Sequence, residues 1–462
     1  MNDSEGKGTS KRVVLIVATL ASFIFPFMAS AVNIALPTIE KELSLDAITL
    51  SWIATAYLLS SAIFLVPLGR IADIYGRKKI FTCGIVIFTL SSLFAGMANS
   101  VAMLISCRVF QGVGGAMLAG TAVALLTTVY PANERGKVLG INVAAVYIGL
   151  ALGPVLGGVL TQQLGWTSIF FASALLGLAV IGVVLWKLKG EWTGAKGERF
   201  DLAGSVIYSL GLVALVYGFT LLPEMLGVGL IIGGAIGLFA FTRWEMRTGS
   251  PVLDLSLFRN NRAFSFSNLA ALINYSATFA TSFLLSLYLQ HRPVNPFNAQ
   301  DAGLILMAMP AMQAIFSPLA GRLSDRIEPR LLASVGMALT TVGLVIFISL
   351  NEESTLKLII GNLLLMGFGF ALFSSPNTNA VMSSAPNTAY GVASATLATS
   401  RQVGLVLSMG IAMLMFALYM GKVQITPENY PFFQQSMKTC FIIFAALCFG
   451  GIFASLARGK VR

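Results

Sequence analysis

Charge is what this sequence has least of. Of its 462 residues, 30 are Lys or Arg and 19 are Asp or Glu, 11% together, against roughly 25% in a soluble globular protein. A soluble domain of this size would still need a charged coat, and a chain with 56% apolar residues and a mean hydropathy of +0.82 cannot supply one. The natural solvent for most of its surface is lipid. That excludes a secreted disulfide scaffold, a disordered chain and an ordinary cytosolic enzyme. There is one histidine, and the four cysteines (Cys83, Cys107, Cys440, Cys448) lie in apolar runs without CxxC or His-paired spacing. Buried inert thiols are expected, with no metal site and no cofactor. Period-two alternation is missing, which argues against an outer-membrane barrel. HExxH and paired buried carboxylates are missing too, so an intramembrane enzyme is disfavoured and no catalytic residue is assigned.

What the sequence does contain is long apolar runs. Fourteen are long enough to cross about 30 Å of hydrocarbon as helices. They cover approximately 13–37, 48–69, 79–98, 101–129, 138–160, 166–186, 202–222, 225–243, 263–288, 301–322, 331–350, 356–381, 391–420 and 439–457. The expected fold class is all-α integral membrane with 14 transmembrane helices, and the 45 glycines suit close helix contacts.

On an inside-first topology, 23 basic residues fall on one side and five (Lys41, Arg292, Lys357, Lys422, Lys438) on the other, while Arg108 and Arg401 lie within spans. This bias places both termini in the cytoplasm of a multi-pass cell-membrane protein. The net charge of +11 therefore orients the chain in its bilayer, and no nucleic-acid partner is invoked. Lys7, Lys11 and Arg12 before Ala29-Ser30-Ala31 superficially resemble a cleavable signal, but the apolar run continues to Pro37 and makes a full span.

The basic stretch GRIADIYGRKK (69–79) has a weaker echo in GRLSDRIEPR (321–330), offset by 252 residues. Duplicated six-span halves around a central path are a transporter architecture. The expected division is a tail at 1–12, a first half at 13–188, a linker at 189–201, an inserted two-helix hairpin at 202–244, a linker at 245–262, a second half at 263–457 and a tail at 458–462. No segment is long or polar enough to form a soluble catalytic domain.

GRIADIYGRKK resembles the loop signature of the major facilitator superfamily. WIATAYLL (52–59), RVFQGVGGAM (108–117), GLALGPVLGG (149–158), ATSRQVG (398–404) and SPVLDLSLFRNNRAF (250–264) resemble its fourteen-span drug:proton antiporter branch. The resemblance covers essentially the whole chain. It implies a secondary transporter working by alternating access, with multidrug-type efflux of hydrophobic or amphiphilic small molecules and protons as a candidate coupling ion. A monomer is expected. The alternatives are a facilitator, a differently coupled transporter, and a non-transporting membrane sensor or scaffold on the same fold.

Each motif carries two readings. Gly69 and Asp73 share a helix face, Gly76 allows the following turn, and Asp73 beside Arg77 can hold a closed end through charge-assisted bonds. The alternative is a solvated charged loop that merely obeys the orientation bias. The resemblance implies a conformational latch, with Gly321, Asp325 and Arg326 as its second copy. Gly149, Gly153 and Gly157 form one stripe beside Pro154, which allows tight helix packing; in the family this motif accompanies export. Arg108 lies inside span four with Gln111 one turn on, where a charge is costly and usually faces a cavity, unless it snorkels to the interface. By resemblance it belongs to the proton-relay region, and Asn33 and Tyr57 are assigned to the same pathway. Arg401 is placed near the cytoplasmic end of its span, where snorkelling or helix capping weighs at least as much as a functional role. Tyr147, Asn274, Gln313, Asn362 and Asn377 are candidate cavity-lining residues, although such groups also tie helices together.

The chain departs from the family at FMASAVNIALP (27–37), where Met28 stands in place of the usual aspartate. None of the 19 acids falls in the middle of a span, which leaves Glu224 and Asp301 as the candidate titrating groups. The single histidine, His291, is expected to be solvated in an outer loop.

Overall fold

The structure is a computed structural model. It describes residues 10–459 apart from 196, 254, 260, 325 and 386–389. The first six helices are α1 (Lys11–Leu43), α2 (Ala47–Tyr75), α3 (Arg77–Gly96), α4 (Val101–Val129), α5 (Ala132–Leu164) and α6 (Thr167–Lys187). A hairpin follows, α7 (Leu202–Thr220) and α8 (Met225–Glu245). The remainder are α9 (Arg262–Thr278), α10 (Ala280–His291), α11 (Ala299–Leu306), α12 (Ala308–Ser324), α13 (Pro329–Ile348), α14 (Leu356–Ser384), α15 (Tyr390–Tyr419) and α16 (Tyr430–Ala457). Because α9 with α10, and α11 with α12, form single interrupted spans, the described residues contain 14 helical segments long and apolar enough to cross a membrane.

Helices α1–α6 pack among themselves, and so do α9–α16. The two groups meet where α2 runs beside α15, where α5 lies against α11 and α12, and where α1 touches α10. The α7–α8 pair packs mainly on itself, with α7 against α2 and α15. With an even number of spans, α1 starts and α16 finishes at the same end of the bundle, here called the terminal end; the other is the distal end.

Several helices outrun the apolar stretches that announced them. α1 continues six residues beyond Pro37 to Leu43, because polar residues at the edge of the apolar zone remain helical while their backbone bonds stay intrahelical. The expected continuous ninth and tenth spans are each broken. At the first break the Ala280 N–H donates instead to Ser408 Oγ on α15, 2.9 Å away, so the freed group is satisfied by a neighbouring helix. The second break, at Met307, precedes Pro310, whose missing N–H removes one backbone bond.

Candidate functional site

The glycines of RVFQGVGGAM set the position of Arg108. A Cβ at Gly112 would stand 2.4 Å from the Tyr57 carbonyl oxygen, and one at Gly114 would stand 2.7 Å from the Phe88 nitrogen. Only glycine lets α4 lie this close to α2 and α3. Arg108 is consequently 1% exposed, with its guanidinium 4.0 Å from the centre of the Tyr57 ring. Its Nε donates to the Ile53 carbonyl at 3.0 Å and its Nη1 to Gln111 Oε1 at 2.9 Å, while Gln111 Nε2 donates to Ser92. Tyr57 donates to the Phe25 carbonyl. Of the four residues assigned to one pathway, Arg108, Gln111 and Tyr57 form one assembly enclosed within the first six helices, with Arg108 not snorkelling, whereas Asn33 is buried apart from it on α1.

The stripe Gly149, Gly153 and Gly157 faces α1. Cβ atoms there would meet the Phe23 carbonyl oxygen at 2.6 Å, Ser30 Oγ at 1.9 Å and Ala31 Cα at 2.8 Å. Beside it, Pro154 meets the second group, because a Cβ on Gly303 of α11 would stand 2.1 Å from its carbonyl oxygen. Met28, fully buried, accepts from Ser173 of α6 on its sulfur at 3.2 Å.

At the terminal end, Gly76 adopts φ 128° between α2 and α3, with the Glu191 carboxyl where a Cβ would stand. Asp73 Oδ1 accepts from Arg77 Nε at 2.8 Å, and the Asp73 carbonyl accepts from Gly194 and Ala195. Arg77 also donates to the Ala124 carbonyl and to Thr128 of α4, and Arg70 pairs with Glu198. In this conformation the assembly binds residues 191–198 onto the first six helices. Gly69 has open space at its Cβ position, Gly321 has only Ser375 nearby at 3.8 Å, and Arg326 is exposed. Asp325 lies outside the described residues.

The distal end is where the two groups are tied. His291 is not solvated, as the sequence led us to expect: its side chain is 6% exposed, its Nε2 lies 2.9 Å from Glu40 Oε2, and its Nδ1 lies 3.0 Å from the Leu287 carbonyl. Glu40 Oε1 accepts from the Ile425 N–H. Close by, Ser286 donates to the Asn33 carbonyl, Gln290 to the Ile34 carbonyl, and Ala47 N–H to the Val423 carbonyl. Glu224 and Asp301 are exposed at the starts of α8 and α11, and Asp301 bonds Asn298. Neither reaches the interior.

Nearer mid-depth, Tyr147 Oη on α5 lies 2.9 Å from Ser374 Oγ on α14, a contact between the groups. Arg401 is beside it. Gly404 lets α15 approach α9, with the Tyr275 Cβ 2.8 Å from where its own would be. This sets the Arg401 guanidinium 5.6 Å from the Tyr275 ring centre and lets it donate to Thr378. Arg401 therefore turns between helices and neither caps α15 nor snorkels. Of the other expected lining residues, Gln313 is buried on α12. Asn362 donates to the Gly343 carbonyl, Asn377 donates to the Ser267 carbonyl, and Asn274 sits beside Cys448, so these three tie helices within the second group. Glu40 and Thr378 were given no role from the sequence, and His291 was read as solvated. The one signal that pointed to them was their polarity beside apolar runs.

A family model described as the Major Facilitator Superfamily matches residues 18–409 and 268–460. The riboflavin transporter RibZ of Clostridioides difficile is 30% identical over 96% of this chain and 96% of its own length. The multidrug resistance protein Stp of Mycobacterium tuberculosis is 31% identical over 85% of this chain and 73% of its own length. Among solved structures, a bacterial homologue of the human lysosomal transporter Spinster, inward-facing and unoccupied, aligns with a TM-score of 0.68 at 16% identity over 97% of this chain and 98% of that one.

Proposed function

We propose, for a chain that belongs to the Major Facilitator Superfamily, a secondary transporter that exports hydrophobic or amphiphilic small molecules by alternating access, with both termini in the cytoplasm. The observation that carries this reading is the concentration of ties between the two helix groups at the distal end, through Glu40–His291, Ile425–Glu40 and Ala47–Val423. A bundle fastened at one end and built from two separately packed groups can rock about that interface, which is what alternating access needs. The positive-inside bias turns the terminal end towards the cytoplasm. The same packing supports the division into two six-helix halves and an inserted hairpin, with Asp73 and Arg77 as part of a latch formed when the terminal end closes.

The export direction rests on the glycine-stripe resemblance and on relatives named for multidrug resistance and antibiotic export. The interior supports apolar cargo, with Phe316 stacked edge-on to Phe368 and Tyr275 to Phe370. The test is transport of a panel of fluorescent amphiphiles in proteoliposomes under imposed pH gradients of either sign. Protein-dependent, gradient-dependent movement supports the reading, movement without gradient dependence makes the protein a facilitator, and retention identical to protein-free liposomes overturns transport.

A further inference from the structure

The two arginines inside the spans are provided for unequally. Arg108 is closed in, with Nε on a carbonyl, Nη1 on Gln111 and an aromatic face at 4.0 Å. Arg401 is partly exposed, its aromatic neighbour is 5.6 Å away, its one hydrogen-bond partner is the Thr378 hydroxyl, and its Nε–H is buried without a partner. No acid among the described residues forms an ion pair with either arginine, and none sits in the middle of a span. An arginine at this depth is costly unless something completes its bonding. Here the helices leave that completion to something outside the chain.

We propose that Arg401 is the docking point for a carboxylate on the transported molecule, so that the cargo is an anionic aromatic amphiphile and not a cationic one. The guanidinium fork matches a carboxylate in geometry and charge. Its Tyr275 and Thr378 neighbours belong to the second group, and its charge faces Tyr147 of the first, whose contact with Ser374 must rearrange when the groups rock. Around it, Tyr275 and Phe370, 5.2 Å apart in a T-shaped pair, offer apolar faces to an aromatic body. A cationic cargo at this point would meet a guanidinium charge with no carboxylate paired to it among the described residues. The proposal rests on the transporter reading above and narrows its substrate class.

The test uses a matched pair, a fluorescent aromatic carboxylic acid and its methyl ester, with the full-length protein in proteoliposomes. In the wild type the acid is expected to compete for transport about tenfold or more better than the ester, the worth of one charge-assisted bond. Arg401→Gln should erase that preference by raising KM for the acid far more than for the ester, and Arg401→Lys should restore part of it. Arg401→Gln can be scored only if it still moves the ester; should it not fold, the wild-type competition decides alone. Ester transported in preference to acid by the wild type, or equal loss of both in Arg401→Gln, overturns the inference while leaving the transporter standing. Movement of neither compound overturns both.

Discussion

His291 Nε2 lies 2.9 Å from Glu40 Oε2, joining the end of α10 to α1 across the interface between the two helix groups. The other ring nitrogen faces the Leu287 carbonyl at 3.0 Å, so both nitrogens point at oxygen acceptors. Glu40 extends the tie to the connection between α15 and α16 by accepting from the Ile425 N–H.

The first prediction concerns this tie. Removing one partner of a buried pair leaves the other unpaired, so loss of either side chain should open the distal end. The neighbouring charges are otherwise engaged or turned away: Glu42 holds Trp166, Asp46 caps α2, Arg292 donates to the Glu352 carbonyl, and Lys41 and Lys422 are exposed. Labelling of Ser286→Cys from the distal side reads the opening. In Glu40→Gln or His291→Ala the labelling rate should rise about tenfold or more, since breaking a buried pair costs several kcal/mol. Unchanged labelling in both variants would contradict this.

The α1–α5 contact predicts a graded effect of size. Gly157→Val places a branched side chain against the Ala31 backbone and should destabilise the folded protein by about 1–3 kcal/mol or more. Gly182, exposed on α6 with nothing within 4 Å, should accept alanine without loss. Thermal unfolding in detergent compares the two. Equal effects would mean that the stripe is not a packing device.

Asp73→Asn separates local stability from conformational balance. The Arg77–Asp73 pair is partly exposed, at 16% and 34%, so its own worth is about 1 kcal/mol or less. The backbone bonds from Gly194 and Ala195 to the Asp73 carbonyl do not depend on the side chain. Thermal stability should therefore hold, while cysteine accessibility on the two sides of the membrane shifts. A large stability loss with unchanged accessibility would mark Asp73 as structural only.

Arg108→Lys tests whether the enclosed arginine is replaceable by charge alone. Lysine lacks the fork that reaches both Ile53 and Gln111, so folded yield should fall, with a cost of about 2–4 kcal/mol for two lost bonds in a buried site. Size-exclusion profiles in detergent give the readout, and a wild-type profile would mean that the fork geometry is dispensable.

Much of the fold was legible because hydropathy in a bilayer is a nearly sufficient signal: a span must be apolar and must satisfy its own backbone. The Arg108–Gln111 pairing was legible because i and i+3 share a helix face. His291 was not, because its burial depends on Glu40, 251 residues earlier, and nothing local to either residue announces the other. Arg401 was misplaced for a related reason. Depth along α15 could be counted, but the direction of its side chain is set by Gly404 and Tyr275 through packing against α9. The break at Phe279 was hidden as well, since an apolar run reads as continuous whether or not Ser408 intercepts one of its N–H groups.

The central claim, that the two ends open in alternation, is tested most directly by paired distance measurements in proteoliposomes. With exposed Cys83 replaced by serine, spin labels at Lys41 and Lys422 report the distal end and labels at Tyr75 and Arg326 the terminal end. With and without a transported amphiphile, the account predicts that one distance lengthens as the other shortens. Distances that both stay fixed, or that change in the same direction, would contradict it.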